Sequence, residues 1–331
     1  MRESSDPVGR RWSIVLAGGE GVRMRPAIGR WFGRPVPKQY CRFVGTRSMF
    51  QHTLGRTMRI TSPARTVVGV GRGHQQAWRQ IGERNPGMVL VQPRNAGTAA
   101  ELFLPLTYIR VRDPEGMVLI SPADHFVYPE ERLLGEMLYA VRAAEKLPMK
   151  VVVLAARPDG PETDYDWIKP DHELIRLGTR SVRAVKTFVD KPEPALAQLA
   201  CASGALWNTF IMAGKVDALW QLGRRALPNV MTLFERLAEV IDTPKEPLVL
   251  REIYERMPAC ALSRDLLAHV PSATAMLEMQ GVWWSDWGSP DRVMKTLSRL
   301  GQDTGAIMQH LRASTERRSA RSPEMVLVRA G

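Results

Sequence analysis

The sequence predicts an α/β protein whose doubly wound, mostly parallel sheet is flanked by helices. From residue 12 onward, short apolar runs alternate with stretches of helical periodicity, which is typical of parallel strands joined by crossover helices. A glycine-rich segment directly follows the first apolar run. Open parallel sheets bind ligands beyond the carboxyl ends of their strands, so we expect the functional site to begin in this segment.

The first half of the chain carries the clearest pattern. The candidate strands, which are short apolar runs bounded by turn residues, are 12–17, 66–70, 88–91, 117–121 and 151–156. The candidate helices between them are 48–59, 73–83, 97–111 and 130–146. This alternation predicts the doubly wound part of the sheet.

The second half has shorter and more mixed elements. The candidate strands are 183–189, 205–213 and a pair within 273–284, and the candidate helices are 193–202, 214–240 and 290–300. No linker or repeat divides the chain, so we expect one domain over 12–305. We expect a disordered N-terminus over 1–11 and a mobile basic tail over 306–331.

The composition indicates a folded protein with an anionic partner. The 331 residues are 44% hydrophobic, which argues against general disorder, and 46 Lys and Arg outnumber 34 Asp and Glu, giving a net charge of +12. Nucleic acid, an anionic membrane and a phosphorylated metabolite would all suit this charge. Residues 17–47 hold seven basic residues against one acidic residue, so half of the excess is local.

The cysteines and the apolar runs predict a cytoplasmic location. Cys41, Cys201 and Cys260 are far apart and form no CxxC pair, which argues against a disulfide framework or a thiolate zinc site. The first eleven residues are polar, and no run approaches the roughly 20 apolar residues of a membrane span. We therefore expect a soluble protein with no membrane partner.

The glycine-rich segment over 16–26 suits a phosphate. Its glycines let backbone N–H groups approach closely, and Arg23 and Arg25 can add charge-assisted hydrogen bonds. It lacks the Gly-Lys-Ser/Thr of a Walker loop, and Met24 stands where a dinucleotide fingerprint has its third glycine. The alternative is a turn with solvated arginines, but the position after the first strand favours the phosphate.

Seven further segments follow this loop in a fixed order. They are Pro37-Lys38-Gln39, Arg94-Asn95-Ala96-Gly97-Thr98-Ala99, Pro122-Ala123-Asp124-His125, Glu162-Thr163-Asp164-Tyr165, Asp190-Lys191-Pro192, Trp207-Asn208 and Asp286-Trp287-Gly288-Ser289. Together with the loop, they resemble the sugar-phosphate nucleotidyltransferase family over residues 12–291. Within that family, the short mannose-1-phosphate guanylyltransferases are the most similar group.

The resemblance implies a Rossmann-like, GT-A-like nucleotidyltransferase fold with a nucleotide-binding half over 12–156 and a sugar-phosphate-binding half over 157–305. It implies transfer of a nucleoside monophosphate from an NTP, GTP in the most similar group, to α-D-mannose 1-phosphate, with release of pyrophosphate and with Mg²⁺ as cofactor. It also implies that the chain has no room for the appended acyltransferase or isomerase domain of longer relatives. A homodimer is left open.

The resemblance assigns roles by position. Arg23 and Lys38 are the expected catalytic cations, and Asp124 and Asp286 the expected Mg²⁺ ligands. The expected nucleotide-binding residues are Leu16, Ala17, Gly18, Gly19, Gly21, Arg94, Asn95 and Thr98. The expected sugar-phosphate ligands are Glu162, Lys191 and Asn208. Taken singly, each aspartate could be a turn residue bonded to its own backbone, and His125 is expected to be structural.

The sugar half departs from the family pattern. Asp164 and Asp166 stand where the ETGYGYI run has glycines, Asp190 replaces a glutamate, and Thr209 and Phe210 follow Asn208 in place of Ser-Gly. Glycine often permits positive φ or close approach of a ligand, so sugar identity is the open part of the prediction.

Two alternatives to the guanylyltransferase interpretation follow from these departures: a nucleotidyltransferase for a different hexose 1-phosphate, and a nucleotide-sugar-binding regulatory homologue without turnover. A nucleic-acid-binding protein is disfavoured because the arginines outside 17–47 are spread along the chain and form no basic helix.

Overall fold

The structure is a computed structural model and describes residues 10–301. Most of the predicted disordered N-terminus and the whole of the basic tail, from residue 306 onward, lie outside the described residues. Arg11 already belongs to the first strand. Arg10 binds the Asp113 carboxylate, with Nη2 2.7 Å from Oδ1, so residue 10 is also tied to the folded domain.

The strands within residues 10–301 are β1 (Arg11–Ala17), β2 (Thr66–Gly71), β3 (Met88–Gln92), β4 (Met117–Pro122), β5 (Phe126–Tyr128), β6 (Val151–Ala156), β7 (Trp167–Leu177), β8 (Arg180–Val189), β9 (Leu206–Lys215), β10 (Thr274–Glu278) and β11 (Trp283–Ser285). The α-helices are α1 (Arg25–Phe32), α2 (Met49–Thr57), α3 (Gln75–Ile81), α4 (Gly97–Arg112), α5 (Glu130–Lys146), α6 (Pro194–Ala202), α7 (Val216–Ala226), α8 (Pro228–Ala238), α9 (Glu246–Arg256) and α10 (Pro290–Arg299).

The main sheet has nine strands in the order β3-β2-β1-β4-β9-β6-β10-β8-β7. β1 to β4 pair in parallel, as do β6 and β10, whereas β9 runs antiparallel between β4 and β6. β5 and β11 form a separate two-stranded sheet. This arrangement confirms the predicted α/β class with a large mixed sheet, and it brings the carboxyl ends of β1 to β4 to one edge.

The central strands are continuous apolar runs because helices cover both faces of the sheet. In β4, Val118 and Ile120 belong to the core cluster that contains α4, whereas Met117 and Leu119 belong to the cluster that contains α5. Successive strand residues point to opposite faces, so the two helices pack on opposite sides. A strand with only one covered face would have shown an alternating pattern instead.

Two predicted elements of the second half are wrong. The single helix over 214–240 is two helices, α7 and α8, because Pro228 has no N–H to continue the first helix and instead begins the second. The strand pair within 273–284 consists of β10 and β11, but these do not pair with each other: β10 joins β6 and β8 in the main sheet, and β11 joins β5.

Four elements were not predicted, namely α1, β5, β7 and α9. β7 is polar and largely exposed at its centre, so it has the sequence of a loop, and its pairing with β8 supplies the missing stabilisation. No helix within residues 10–301 is both long enough and apolar enough to cross a membrane.

Candidate active site

The glycine loop leaves the carboxyl end of β1, as expected, and its backbone is closely packed. The Gly18 N–H donates a 2.6 Å hydrogen bond to Glu101 Oε1 on α4. A Cβ at position 18 would collide with the Gln92 amide nitrogen at the end of β3. Gly21 adopts a φ of 58°, which an L side chain rarely tolerates. Glycine is therefore needed at position 21 for the loop to take this path, and a side chain at position 18 would have to displace the Gln92 amide.

The segment after α1 fixes the loop through side-chain donors. Gln39 Nε2 donates to the carbonyl oxygens of Ala17 and Gly19, at 2.9 and 2.7 Å, and the Tyr40 hydroxyl donates to the Ala17 carbonyl at 3.0 Å. On the other side, the Leu16 carbonyl accepts a 2.8 Å hydrogen bond from the backbone N–H of Ala123. These contacts dock the Lys38-containing turn against the loop.

Lys38 is the central cation of the site. Its side chain is buried, and its Nζ lies 3.0 Å from Asp124 Oδ2 and donates to the backbone carbonyl of Asp286. Asp124 follows β4 and Asp286 follows β11. Three residues from distant parts of the sequence thus meet at the carboxyl edge of the sheet.

Both aspartates are held in the ionised form. Burial by itself would raise the pKa of Asp124, but the Lys38 ammonium and, to a smaller extent, His125 lower it below its usual range. Burial likewise opposes ionisation of Asp286, whereas Lys38, Arg292 and the 2.7 Å hydrogen bond from Gly288 N–H lower its pKa. Positive groups therefore prevail over burial at both carboxylates.

This donor set suits Mg²⁺, which takes oxygen ligands and commonly uses one or two carboxylates together with waters and substrate phosphates. The part of the chain that the structure describes contains no cluster of three or more His, Cys, Asp or Glu able to hold a metal. Lys38 contacts the carboxylate of Asp124 and the backbone carbonyl of Asp286, and the two ionised carboxylates are the number that a Mg²⁺ site uses when water and substrate phosphates supply the other ligands.

His125 lies behind Asp124. Trp284 Nε1 donates to His125 Nδ1 at 3.2 Å, so the other ring nitrogen, 3.6 Å from Asp124 Oδ1, carries the proton of the neutral ring. Burial lowers the pKa of His125 and favours that neutral form. This environment suits the expected structural role.

Arg23 points into the site, whereas Arg25 does not. Arg23 Nη1 lies 3.1 Å from Asp164 Oδ2, and Nη2 lies 3.2 Å from Asp286 Oδ2. The side chain is 50% exposed, so a ligand can reach it. Arg25 forms an ion pair with Glu20 of the glycine loop instead.

Arg292, on the first turn of α10, was not predicted. Its Nη2 lies 2.8 Å from Glu162 Oε2, and its Nη1 lies 3.1 Å from Asp286 Oδ1. Its guanidinium stacks on the Tyr165 ring, 4.3 Å from the centroid. No local sequence pattern distinguishes it, because its carboxylate partners lie on other segments.

The expected sugar-phosphate ligands Lys191 and Asn208 both contact Asp166. The Asn208 N–H donates a 2.7 Å hydrogen bond to the Asp166 carbonyl, and the Lys191 N–H donates to Asp166 Oδ1 at 3.3 Å. Lys191 has a φ of 40°, and its side chain is exposed. Burial and the neighbouring Asp190 carboxylate raise the pKa of Asp166 to about 8, which favours the protonated form of this aspartate.

A cavity of roughly 660 Å³ opens beside the expected sugar ligand Glu162. Its lining includes Glu162, Tyr165, Trp207, Trp283, Trp284 and Arg292. Aromatic rings with a few convergent charged groups are usual in small-molecule sites. Glu162 was expected here from the sequence, but no local pattern indicated that tryptophans from β9 and β11 would converge on it.

The segment after β3 engages its polar side chains with the protein itself. Arg94 Nε donates to the Tyr254 carbonyl at 2.7 Å, and Thr98 Oγ1 accepts a 2.8 Å hydrogen bond from Leu262 N–H. Asn95 Oδ1 accepts from Gly97 N–H at 2.9 Å. These contacts fix the segment at the carboxyl edge, and direct binding of the nucleotide by these three side chains stays a prediction.

A family model described as nucleotidyl transferase matches residues 12–302. The xanthan biosynthesis protein XanB of Xanthomonas campestris pv. campestris is 31% identical over 293 residues, which cover 87% of this chain and 60% of XanB. A mannose-1-phosphate guanylyltransferase of Escherichia coli K12 is 25% identical over 84% of this chain and 58% of its own length. The chain therefore spans about three fifths of the length of these curated relatives.

Among solved structures, the fold is similar to that of a protein from Thermus thermophilus described as a mannose-1-phosphate geranyltransferase. The TM-score is 0.74 at 25% sequence identity, and the match covers 87% of this chain and 79% of the other. The glycine loop, Lys38, Asp124 and Asp286 all lie within the residues that the family model matches.

Proposed function

The chain belongs to the nucleotidyl transferase family, and we propose that it transfers a nucleoside monophosphate from an NTP to a sugar 1-phosphate and releases pyrophosphate. The observation that carries this proposal is the buried Lys38 ammonium, which joins the ionised Asp124 and Asp286 beneath the glycine loop. We propose GTP and α-D-mannose 1-phosphate as substrates. The descriptions of the E. coli and T. thermophilus relatives, both of which mention mannose 1-phosphate, support the acceptor.

The site is suited to this reaction because the reaction needs positive charge more than it needs a base. The attacking oxygen of a sugar 1-phosphate is already anionic, so the protein has to bring two polyanions together in line. Arg23 is accessible for the phosphates of the NTP, and Lys38 contacts the Asp124 carboxylate and the Asp286 carbonyl. We assign charge stabilisation at the α-phosphate and at the departing pyrophosphate to these two cations.

Asp124 and Asp286 would hold Mg²⁺, which supplies charge neutralisation at the phosphates when bound. Lys38 orients both aspartates, through the Asp124 carboxylate and the Asp286 carbonyl. His125 supports Asp124 from behind. The protein's own contribution is therefore a preformed pair of ionised ligands.

The acceptor would lie in the aromatic cavity, with Glu162 binding sugar hydroxyls. Asn208 and Lys191 do not line this cavity but lie together against Asp166, and their contact with the sugar phosphate is part of the proposal. Lys191 is exposed and can reach an anionic group. Asp164 and Asp166 lie in this half, which favours a second candidate acceptor, a hexose 1-phosphate other than mannose 1-phosphate.

Pyrophosphate release tests the proposal. The protein would be incubated with Mg²⁺, each of the four common NTPs and a panel of hexose 1-phosphates. We expect release that depends on both substrates and is fastest with GTP and mannose 1-phosphate. No release with any pair would overturn the proposed activity, and tight binding of GDP-mannose without release would indicate a regulatory homologue.

A further inference from the structure

Two arginines bridge the same two aspartates. Arg23 and Arg292 each place one guanidinium nitrogen on Asp164 Oδ2, at 3.1 and 3.2 Å. The same arginines reach the two oxygens of Asp286, Arg23 at Oδ2 and Arg292 at Oδ1, at 3.2 and 3.1 Å. The four side chains therefore form a closed ring of alternating charge, termed here the Arg–Asp ring.

The two halves of the Arg–Asp ring differ in exposure. Arg23 and Asp164 are 50% and 48% exposed, whereas Arg292 and Asp286 are 11% and 14% exposed. Arg292 is further fixed by Glu162 and by the Tyr165 ring. The exposed Arg23 can therefore turn from the aspartates to a bound phosphate. The largely buried Arg292 keeps its contacts with the aspartates.

Asp164 poses an electrostatic problem for a phosphate site. If Arg23 turns to a triphosphate, the Asp164 carboxylate loses one of its two cations while a polyanion arrives beside it. An unpaired carboxylate there would repel the nucleotide. Arg292 keeps its contact with Asp164 and so compensates part of that charge, since it also pairs with Glu162 and Asp286.

Arg292 also acts on the acceptor side. Its 2.8 Å contact with Glu162 Oε2 fixes the carboxylate that we assign to the sugar hydroxyls. Its contact with Asp286 connects Glu162 to the proposed metal ligand on the nucleotide side. One guanidinium therefore links the two substrate sites through carboxylates on separate segments.

We infer that Arg292 is a positioning residue that holds Glu162 for the acceptor and keeps Asp164 paired with a cation, so that Arg23 can leave Asp164 for the phosphates of the nucleotide. This inference rests on the proposed nucleotidyl transfer. It assigns two separable effects to one side chain, one on each substrate, and only the effect on the nucleotide depends on the charge of Asp164.

The test is a double-mutant cycle of Arg292→Met and Asp164→Asn, with KM measured for both substrates. Arg292→Met should raise the KM of each substrate about tenfold, the usual scale for a lost charged hydrogen bond. Adding Asp164→Asn should lower the KM for GTP severalfold, and by more than the same substitution lowers it in the parent protein, while the KM for the acceptor stays high. A GTP KM that is not lowered by Asp164→Asn in this background, or an Arg292→Met variant with both KM values unchanged, would overturn the inference.

Two controls separate positioning from folding. Arg224→Met removes a surface guanidinium that pairs with Glu235 on the neighbouring helix, and both KM values should stay within about twofold of the parent. Arg292→Lys retains the charge without the planar fork, so it should keep GTP binding better than acceptor binding. An equal loss for both substrates would contradict the separation of the two effects.

Calorimetry keeps the inference testable if turnover is absent. Because Arg292 compensates Asp164 in the parent protein, Asp164→Asn should tighten GTP binding severalfold more in the Arg292→Met background than in the parent protein. An equal effect in both backgrounds would overturn the inference. If the parent protein binds GTP but releases no pyrophosphate with any acceptor, the proposed function is wrong. The GTP affinities of the variants still show whether Arg292 compensates the charge of Asp164.

Discussion

Lys38 Nζ lies 3.0 Å from the Asp124 carboxylate, and the lysine side chain is almost completely buried. A buried ammonium needs a charged partner, and Asp124 is the carboxylate that the structure supplies. The ammonium also binds the carbonyl of Asp286. This contact joins the end of β4 to the end of β11, and it defines the centre of the candidate active site.

Replacing Lys38 tests the role of that charge. Lys38→Met keeps the length of the side chain and removes the cation, so we expect turnover to fall by about a hundredfold or more. Pyrophosphate release at saturating substrates measures this. Lys186→Met, which removes an exposed lysine on β8, is the matched control and should leave turnover unchanged; an equal effect of both variants would contradict a specific role for Lys38.

Replacing Asp286 tests the predicted metal site. Asp286→Asn keeps the shape and removes a carboxylate whose pKa Lys38 and Arg292 lower, so Mg²⁺ should bind more weakly in the presence of GTP. Calorimetric titration of Mg²⁺ into the protein–GTP complex gives this affinity independently of turnover. The same Mg²⁺ affinity in the variant and in the parent protein would exclude Asp286 as a ligand.

Replacing Arg94 distinguishes a structural role of this residue from a contact with the nucleotide. Its guanidinium donates to the carbonyl of Tyr254 and to that of Met257, at the end of α9. Loss of hydrogen bonds from a charged donor costs about 1.5–3 kcal/mol, so Arg94→Ala should lower the free energy of unfolding by that amount. Urea denaturation measures it. Unchanged stability together with a raised KM for GTP would instead support the nucleotide contact predicted from the sequence.

The buried pair of Glu136 and Arg180 predicts a large stability effect away from the active site. Arg180 Nη1 donates to Glu136 Oε1 at 2.6 Å, and both side chains are less than a tenth exposed. Breaking such a pair leaves a buried charge, which costs about 3–5 kcal/mol, so Glu136→Gln should strongly lower the denaturation midpoint. Glu131→Gln, in the exposed pair with Arg59, should have little effect, and similar losses in both variants would argue against burial as the cause.

Asp166 makes stability depend on pH. Burial and the Asp190 carboxylate raise its pKa to about 8 in the folded protein, whereas the pKa of an unfolded aspartate is about 4. Between these values the folded state holds a proton that the unfolded state has released, so stability falls as pH rises through this window. Asp166→Asn should remove that loss.

The measurement is the denaturation midpoint of both proteins at pH 5 and pH 8. The stability advantage of the Asp166→Asn variant over the parent protein should be larger at pH 8 than at pH 5. An advantage that stays constant, or that shrinks with rising pH, would show that Asp166 does not hold a proton in the folded state.

The sequence predicted the parts of the fold that depend on local pattern. The parallel strands of the first half are apolar on both faces, so they were recognised within one or two residues of their ends. The family resemblance drawn from the ordered motifs is confirmed by the match over residues 12–302. Lys38, Asp124 and Asp286 were assigned to one site, and the structure brings them together.

The parts that depend on tertiary contacts were missed. β7 has a polar centre and is stabilised by its partner strand, and the position of β9 between β4 and β6 follows from no local pattern. Arg292 belongs to no motif, and its role follows only from three carboxylates contributed by two other segments. Sequence patterns identify motifs and periodic elements. Charge compensation between segments that are distant in the sequence can be recognised only from the three-dimensional structure.

Nucleotidyl transfer is followed at the α-phosphate of GTP. The protein would be incubated with Mg²⁺, mannose 1-phosphate and GTP labelled at its α-phosphate, and the products would be separated by chromatography. We expect the label to move into GDP-mannose while one pyrophosphate is released for each molecule formed. Label that stays in GTP, or that appears as GMP or GDP without a sugar nucleotide, would contradict the proposed transfer.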